Sequence, residues 1–120
     1  MRTLARFAEE HEGDVPVATI EGEIDASNAA GLGERLRRLL TNRSESLVVD
    51  LVTTTYIDSA GINLLFELAA ELHQRQQRLY LVVAVRSPIE RMIGITGLVN
   101  AVPVHPTRDA ALRDASAPPP

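Results

Sequence analysis

Cysteine is absent from this chain of 120 residues. That excludes disulfides, thiolate zinc sites and cysteine nucleophiles, and it suits a reducing compartment. Tryptophan is missing too, and with two Tyr and two Phe the chain has few rings on which bases could stack. Positive charge is not in excess: 12 Lys and Arg against 16 Asp and Glu leave a net charge of −4. No nucleic-acid partner is expected from such a balance. Long hydrophobic runs are also lacking. The longest, Leu79 to Val85, falls far short of the roughly 18 to 20 residues that span a bilayer, so no membrane partner is expected. Glu9 and Glu10 arrive before any hydrophobic stretch at the N-terminus, which is not the make-up of a secretory signal. The expected location is cytoplasmic.

Hydrophobic residues make up 45% of the chain and charged residues 23%, ordinary values for a globular domain. The length fits a single domain, expected over residues 1–115 and followed by a Pro-rich tail at 116–120. Residues 3–9 alternate loosely, Glu12-Gly13-Asp14 reads as a turn, and Val15 to Asp25 reads as a second strand; together they predict a β-hairpin. Pro16 cannot donate to a ladder and marks an edge or a strand start. Asp25 is the expected N-cap of a helix whose stripe is Ala29, Leu32, Leu36, Leu39 and Leu40. Arg35, Arg37 and Arg38 lie mostly off that stripe, either as an anion or partner patch or as a solvated face. A strand at 46–51 leads to a helix from Ser59 to Gln77, whose apolar face, widened by Leu64, Phe66 and Leu68, exceeds what a water-facing helix needs. Leu79 to Val85 predicts a strand buried on both faces. Ser87, Pro88 and Glu90 form a capping box with Pro at the first helical position, and Gly97 ends that helix. Leu98 to Val104 predicts a last strand and Thr107 to Ala115 a last helix. The order β-β-α-β-α-β-α-β-α predicts an α/β fold: a small mixed sheet, an N-terminal hairpin followed by parallel βαβ units, covered by about four helices.

The sharpest local feature is Tyr56-Ile57-Asp58-Ser59-Ala60-Gly61, placed where a strand gives way to a helix. In open α/β sheets function collects at that end of the strands. Hydrolytic use of Ser59 is disfavoured. A nucleophile elbow needs Gly two residues before the serine, where this chain has Ile57, and His11, His73 and His105 show no spacing that supplies a base. Asp50 and Asp58 alone are a weak metal set, and Gly31 and Gly33 fall inside a helical pattern rather than in a phosphate loop. No catalytic residue, metal or cofactor is therefore assigned. An exposed hydroxyl at a helix start can instead accept a phosphate, meeting open first-turn amides and the positive end of the dipole. The plainer alternative is that Ser59 only caps the helix.

These residues resemble the phosphorylation motif of bacterial anti-sigma factor antagonists, small single-domain STAS proteins. Gly22-Glu23-Ile24-Asp25, the strand Leu47 to Leu51, and Ser87-Pro88 through Thr96-Gly97-Leu98 agree with the same family in order and spacing. The resemblance covers residues 3 to about 113. It implies a STAS-like fold and a protein without enzymatic activity. The unphosphorylated form binds an anti-sigma factor, a GHKL-type serine kinase; that kinase phosphorylates the motif serine, and a PP2C-type phosphatase reverses it. Carried onto this chain, the phosphoacceptor is Ser59, and the partner-binding surface comprises Asp25, Asp58, Ser59, Ala60 and Gly61. Ala60 stands where relatives often carry a second hydroxyl, leaving Ser59 as the sole acceptor in the motif; Thr53 to Thr55 are assigned to strand and turn. The alternative is a STAS scaffold subunit without the switch, in a signalling or transporter-associated complex. Nothing in the sequence specifies an oligomeric state.

Overall fold

The computed structural model describes residues 5–41 and 44–117. Strand β1 (Ala5–Glu12) turns at Gly13, whose φ of 64° suits glycine, into β2 (Val15–Ile24), and the two pair antiparallel with Ala5 opposite Gly22 and Glu12 opposite Val15. Thr3 and Leu4, placed in the first strand by the sequence, lie outside the described residues, as do the prolines of the tail. The rest of the chain is helix α1 (Ala29–Leu39), β3 (Ser46–Asp50), β4 (Thr54–Ile57), α2 (Ser59–Gln74), β5 (Arg78–Val82), α3 (Pro88–Thr96), β6 (Val104–His105) and α4 (Arg108–Ser116). The sheet runs β1-β2-β3-β5-β6, parallel after the hairpin. Pro16 sits at the start of β2, a central strand, and so marks a strand start and not an edge.

Strand β4 is an addition to the expected order. Ten-residue β2 pairs with β3 through Val17 to Thr19 and then with β4 through Gly22 to Ile24, the register shifting within that second pairing between Gly22 and Glu23. The Thr54 hydroxyl donates to the Ile20 carbonyl at 2.7 Å, fastening β4 across that irregularity. The last expected strand is corrected: residues 98–100 form a 3-10 turn, and only Val104 and His105 join the sheet. Leu98 and Val102 are apolar because the turn buries them, not because they alternate across a sheet. The helix expected to reach Gln77 stops at Gln74, and the strand expected to reach Val85 stops at Val82.

The sheet separates two cores. On one face Ile20, Leu47 and Leu81 meet Leu36 of α1, Leu65, Leu68 and Leu72 of α2 and Ile89 and Ile93 of α3. On the other, Val17, Val48, Tyr80 and Val82 lie under Ala111 of α4. Helix α2 is wide in its apolar face because α1 lies against it: a Cβ on Gly33 would stand 2.8 Å from Leu64 Cδ1. The arginine stripe is fully engaged. Arg37 donates to both oxygens of Glu71 at 2.8 Å, Arg38 pairs with Glu34, and Arg35 lies 4.2 Å from the centre of the Phe7 ring. The hydrogen bond from Arg37 holds the Glu71 carboxyl below its ordinary range. That pairing describes a solvated face stitching α1 to α2, not a free anion patch. No helix among the described residues is long and apolar enough to cross a membrane.

Candidate functional site

The parallel strands deliver their C-terminal ends to one edge, and two adjoining turns there carry the candidate residues. The cap of α2 is Asp58, in extended backbone, whose Oδ1 accepts from Ala60 N–H at 2.9 Å and Gly61 N–H at 3.1 Å. Ser59 therefore does not cap the helix. It takes the first helical position, exposed, with no hydrogen bond to its hydroxyl among the described residues. The expectation that a phosphate on Ser59 meets open first-turn amides is narrowed by the same contacts: Asp58 already occupies those of Ala60 and Gly61, and among the described residues only the N–H of Ser59 itself stays open there.

Asp58 also ties the two turns together. Its Oδ2 accepts from Ala26 N–H at 3.3 Å, and its own N–H donates to the Ile24 carbonyl at 3.1 Å. The Asp25 turn is thereby brought against the Asp58 turn, but Asp25 is not the N-cap of α1. That helix begins at Ala29, with Asn28 at the cap position and no side-chain cap. The Asp25 carboxylate instead accepts from the Ser27 hydroxyl and from Ser27 N–H at 2.9 Å, and these bonds hold it below the usual carboxylate range. Ser27 and Asn28, short polar residues that favour local turns, compete for the role the helix start would otherwise claim. Ala60 is half-buried against the core and Gly61 is buried. A Cβ on Gly61 would lie 2.6 Å from Ile57 Cγ1 and 2.7 Å from Ile24 Cγ2, so glycine there lets both turns close on the helix start. Of the five residues proposed for partner contact, Asp25, Asp58 and Ser59 offer side chains near the surface, while Ala60 and Gly61 shape the turn.

Beside Ser59 a groove of about 470 Å³ separates this turn from α3. Tyr56 and Ile57 line one part of it and Pro88, Ile89 and Met92 another, with Asp58, Ser59 and Arg91 completing the lining. Tyr56 is 50% exposed, and Ile95 further along α3 is 73% exposed. Helix α3 is held in place as its sequence predicts: Ser87 Oγ accepts from Glu90 N–H at 3.1 Å, and Gly97 closes the helix with φ 83°. The Glu90 carboxylate reaches Arg86 N–H at 2.7 Å, one residue earlier than a standard capping box. The sequence reading missed this groove. Tyr56 carried a signal, an aromatic adjacent to a buried Ile in a four-residue strand, whereas Arg91 and Met92 stand some thirty residues from the motif and are joined to it only by the fold.

The other candidates disperse. Asp50 points to the α4 side of the sheet, where Arg108 Nη2 donates to its Oδ2 at 3.0 Å and to Thr19 Oγ1 at 2.8 Å, so Asp50 and Asp58 form no joint site. His73 is exposed on α2, His11 lies on β1, and His105 contacts Asp114 at 2.9 Å; none lines the groove beside Ser59. Among the described residues no group of three or more His, Asp or Glu is arranged to hold a metal ion.

Against this geometry the family model for the STAS domain matches residues 6–111. The chain belongs to the STAS domain family. It is 31% identical over 103 residues to the anti-sigma-F factor antagonist RsfB of Mycobacterium tuberculosis, covering 86% of this chain and 82% of that protein. With the anti-sigma-B factor antagonist of Staphylococcus aureus it shares 29% identity over 86 residues, 72% of this chain and 79% of the relative. The crystal structure of an anti-sigma factor antagonist from Mycobacterium paratuberculosis superposes with a TM-score of 0.81 at 25% identity, covering 94% of this chain and 95% of that one. The predicted α/β architecture, hairpin followed by parallel units, is thus that of a STAS domain.

Asp58 is the residue on which this STAS chain's two turns depend. Asp58→Ala is expected to cost about 0.5–2 kcal/mol, the usual loss for an N-cap. Hydrogen exchange checks it: the amides of Ala26, Ala60 and Gly61 should all exchange faster, while those of β5 change only with global stability.

Proposed function

We propose that this chain is an anti-sigma factor antagonist switched at Ser59. In this reading the unphosphorylated chain docks its Asp25 and Ser59 turns against a cytoplasmic anti-sigma factor, a GHKL-type serine kinase, and so frees a sigma factor. Phosphorylation of Ser59 by that kinase releases the chain, and a PP2C-type phosphatase resets it. The chain contributes a surface and an acceptor hydroxyl, not catalysis. The observation that carries the reading is the exposed hydroxyl of Ser59, left without a partner among the described residues because Asp58 takes the cap. The antagonists named above support it, since their names place them against anti-sigma factors. So does the half-exposed Tyr56 beside the acceptor, because aromatic residues are enriched in protein interfaces.

The test is to incubate the chain with the anti-sigma kinase of its own organism and Mg-ATP and to follow intact mass. One phosphate per chain is expected, and none on Ser59→Ala. Wild type and Ser59→Ala should bind the unphosphorylated partner alike, since removing a hydroxyl introduces no repulsion. A phosphate that persists on Ser59→Ala would place the acceptor elsewhere.

A further inference from the structure

The switch raises a question of charge compensation. A phosphate on Ser59 carries about −1.5 to −2 charges at neutral pH and stands next to the carboxylate of Asp58. Of the amides that usually receive an anion at a helix start, those of Ala60 and Gly61 are already donated to that carboxylate. Two arginines lie nearby on or before α3. Arg91 lines the groove together with Ser59, and Arg86 lies beyond it, its backbone N–H donating to Glu90. Among the described residues the Arg91 side chain makes no hydrogen bond or ion pair. The nearest acid in sequence, Glu90, has its carboxylate engaged with the Arg86 amide. By contrast, Arg37, Arg38 and Arg108 are all committed to carboxylates.

We infer that Arg91 reads the phosphate: once Ser59 is phosphorylated, the Arg91 guanidinium pairs with it across the groove between the Ser59 turn and α3. This rests on the proposed role of Ser59 as acceptor. A planar guanidinium matches two phosphate oxygens at once, and such pairing is stronger than a neutral hydrogen bond. The pair draws the Arg91 side chain over Met92, Pro88 and Tyr56, so phosphorylation closes the apolar groove as well as adding charge. Release of the partner then has two components, repulsion at Ser59 and occlusion beside it.

The test installs phosphoserine at position 59 during synthesis of the full chain, so no kinase is needed. The second ionisation of the phosphate is then followed by phosphorus NMR against pH. Wild type should titrate about one unit lower than Arg91→Gln, because an opposite charge within contact distance favours the dianion. Arg91→Lys should fall between them, and Arg86→Gln should titrate as wild type. Identical titration of wild type and Arg91→Gln would overturn the inference, as would an equal displacement in Arg86→Gln. Arg91 is exposed, so these variants should fold, which the dispersion of the proton spectrum confirms in each sample. If instead the anti-sigma kinase leaves Ser59 unmodified while the installed phosphate still titrates low, the acceptor assignment fails and the Arg91 contact stands.

Discussion

Ser59→Asp is expected to weaken binding to the anti-sigma factor by about a hundredfold. The substitution places a carboxylate at the first position of α2, next to Asp58, on an exposed turn flanked by the groove at Tyr56 and Met92. The fold should tolerate it, since negative charge near a helix N-terminus is favourable by about 0.3–1 kcal/mol. Docking should not tolerate it. Like charges brought together beneath a partner and stripped of water cost several kcal/mol, and about 3 kcal/mol corresponds to roughly a hundredfold in Kd. Calorimetric titration of wild type, Ser59→Ala and Ser59→Asp against the partner, with urea melts run in parallel, separates the two effects. Unchanged melts with a large rise in Kd for Ser59→Asp alone are the expected pattern. Equal Kd values for all three would move the docking surface away from this turn.

The second large effect is on stability. Gly61→Ala adds a methyl group 2.6 Å from Ile57 Cγ1 and 2.7 Å from Ile24 Cγ2, and both isoleucines are buried, 3% and 2% exposed. Neither contacted atom is the far end of a flexible side chain, so relief requires a changed χ1 or a shift of the helix start. Overpacking of this kind costs typically 1–3 kcal/mol, against about 1 kcal/mol that Ala returns over Gly within a helix. A net loss of up to about 2 kcal/mol is expected, read as a lower urea midpoint with an unchanged slope. Because Ile24 and Ile57 immediately precede Asp25 and Asp58, the strain falls on the two turns, and partner binding should weaken beyond what the stability loss explains. A variant as stable as wild type would show that the helix start has room to move.

Those two residues also show what the sequence makes legible. Ser59 and its setting were readable because the signal is local: a β-rich run, a short polar turn and a helical apolar period occupy consecutive residues. The same holds for α3, where Ser87, Pro88 and Gly97 each perform the role their type predicts and only Glu90 departs from it, reaching the amide of Arg86 instead of that of Ser87. Where two local rules compete, the reading failed. Asp25 is a good capping residue, but Ser27 and Asn28 draw it into its own turn four residues before the helix starts. Strand β4 escaped notice because it is four residues long and its pairing with β2 is broken by a register shift that leaves Thr55 without a partner residue across the ladder. The apolar run after Gly97 looked like a strand because burial, and not alternation, selects Leu98 and Val102. The need for Gly at position 61 and the placing of Arg91 beside Ser59 are tertiary facts, set by contacts between elements distant in sequence, and no local pattern announces them.

The account turns on phosphate at Ser59 undoing a complex that the bare hydroxyl permits. The most direct measurement is to assemble the unphosphorylated chain with its anti-sigma kinase, add Mg-ATP, and follow complex size and intact mass on the same sample. Dissociation of wild type in step with uptake of one phosphate, and survival of the Ser59→Ala complex under identical conditions, is the predicted result. A wild-type chain fully phosphorylated at Ser59 and still bound would contradict it.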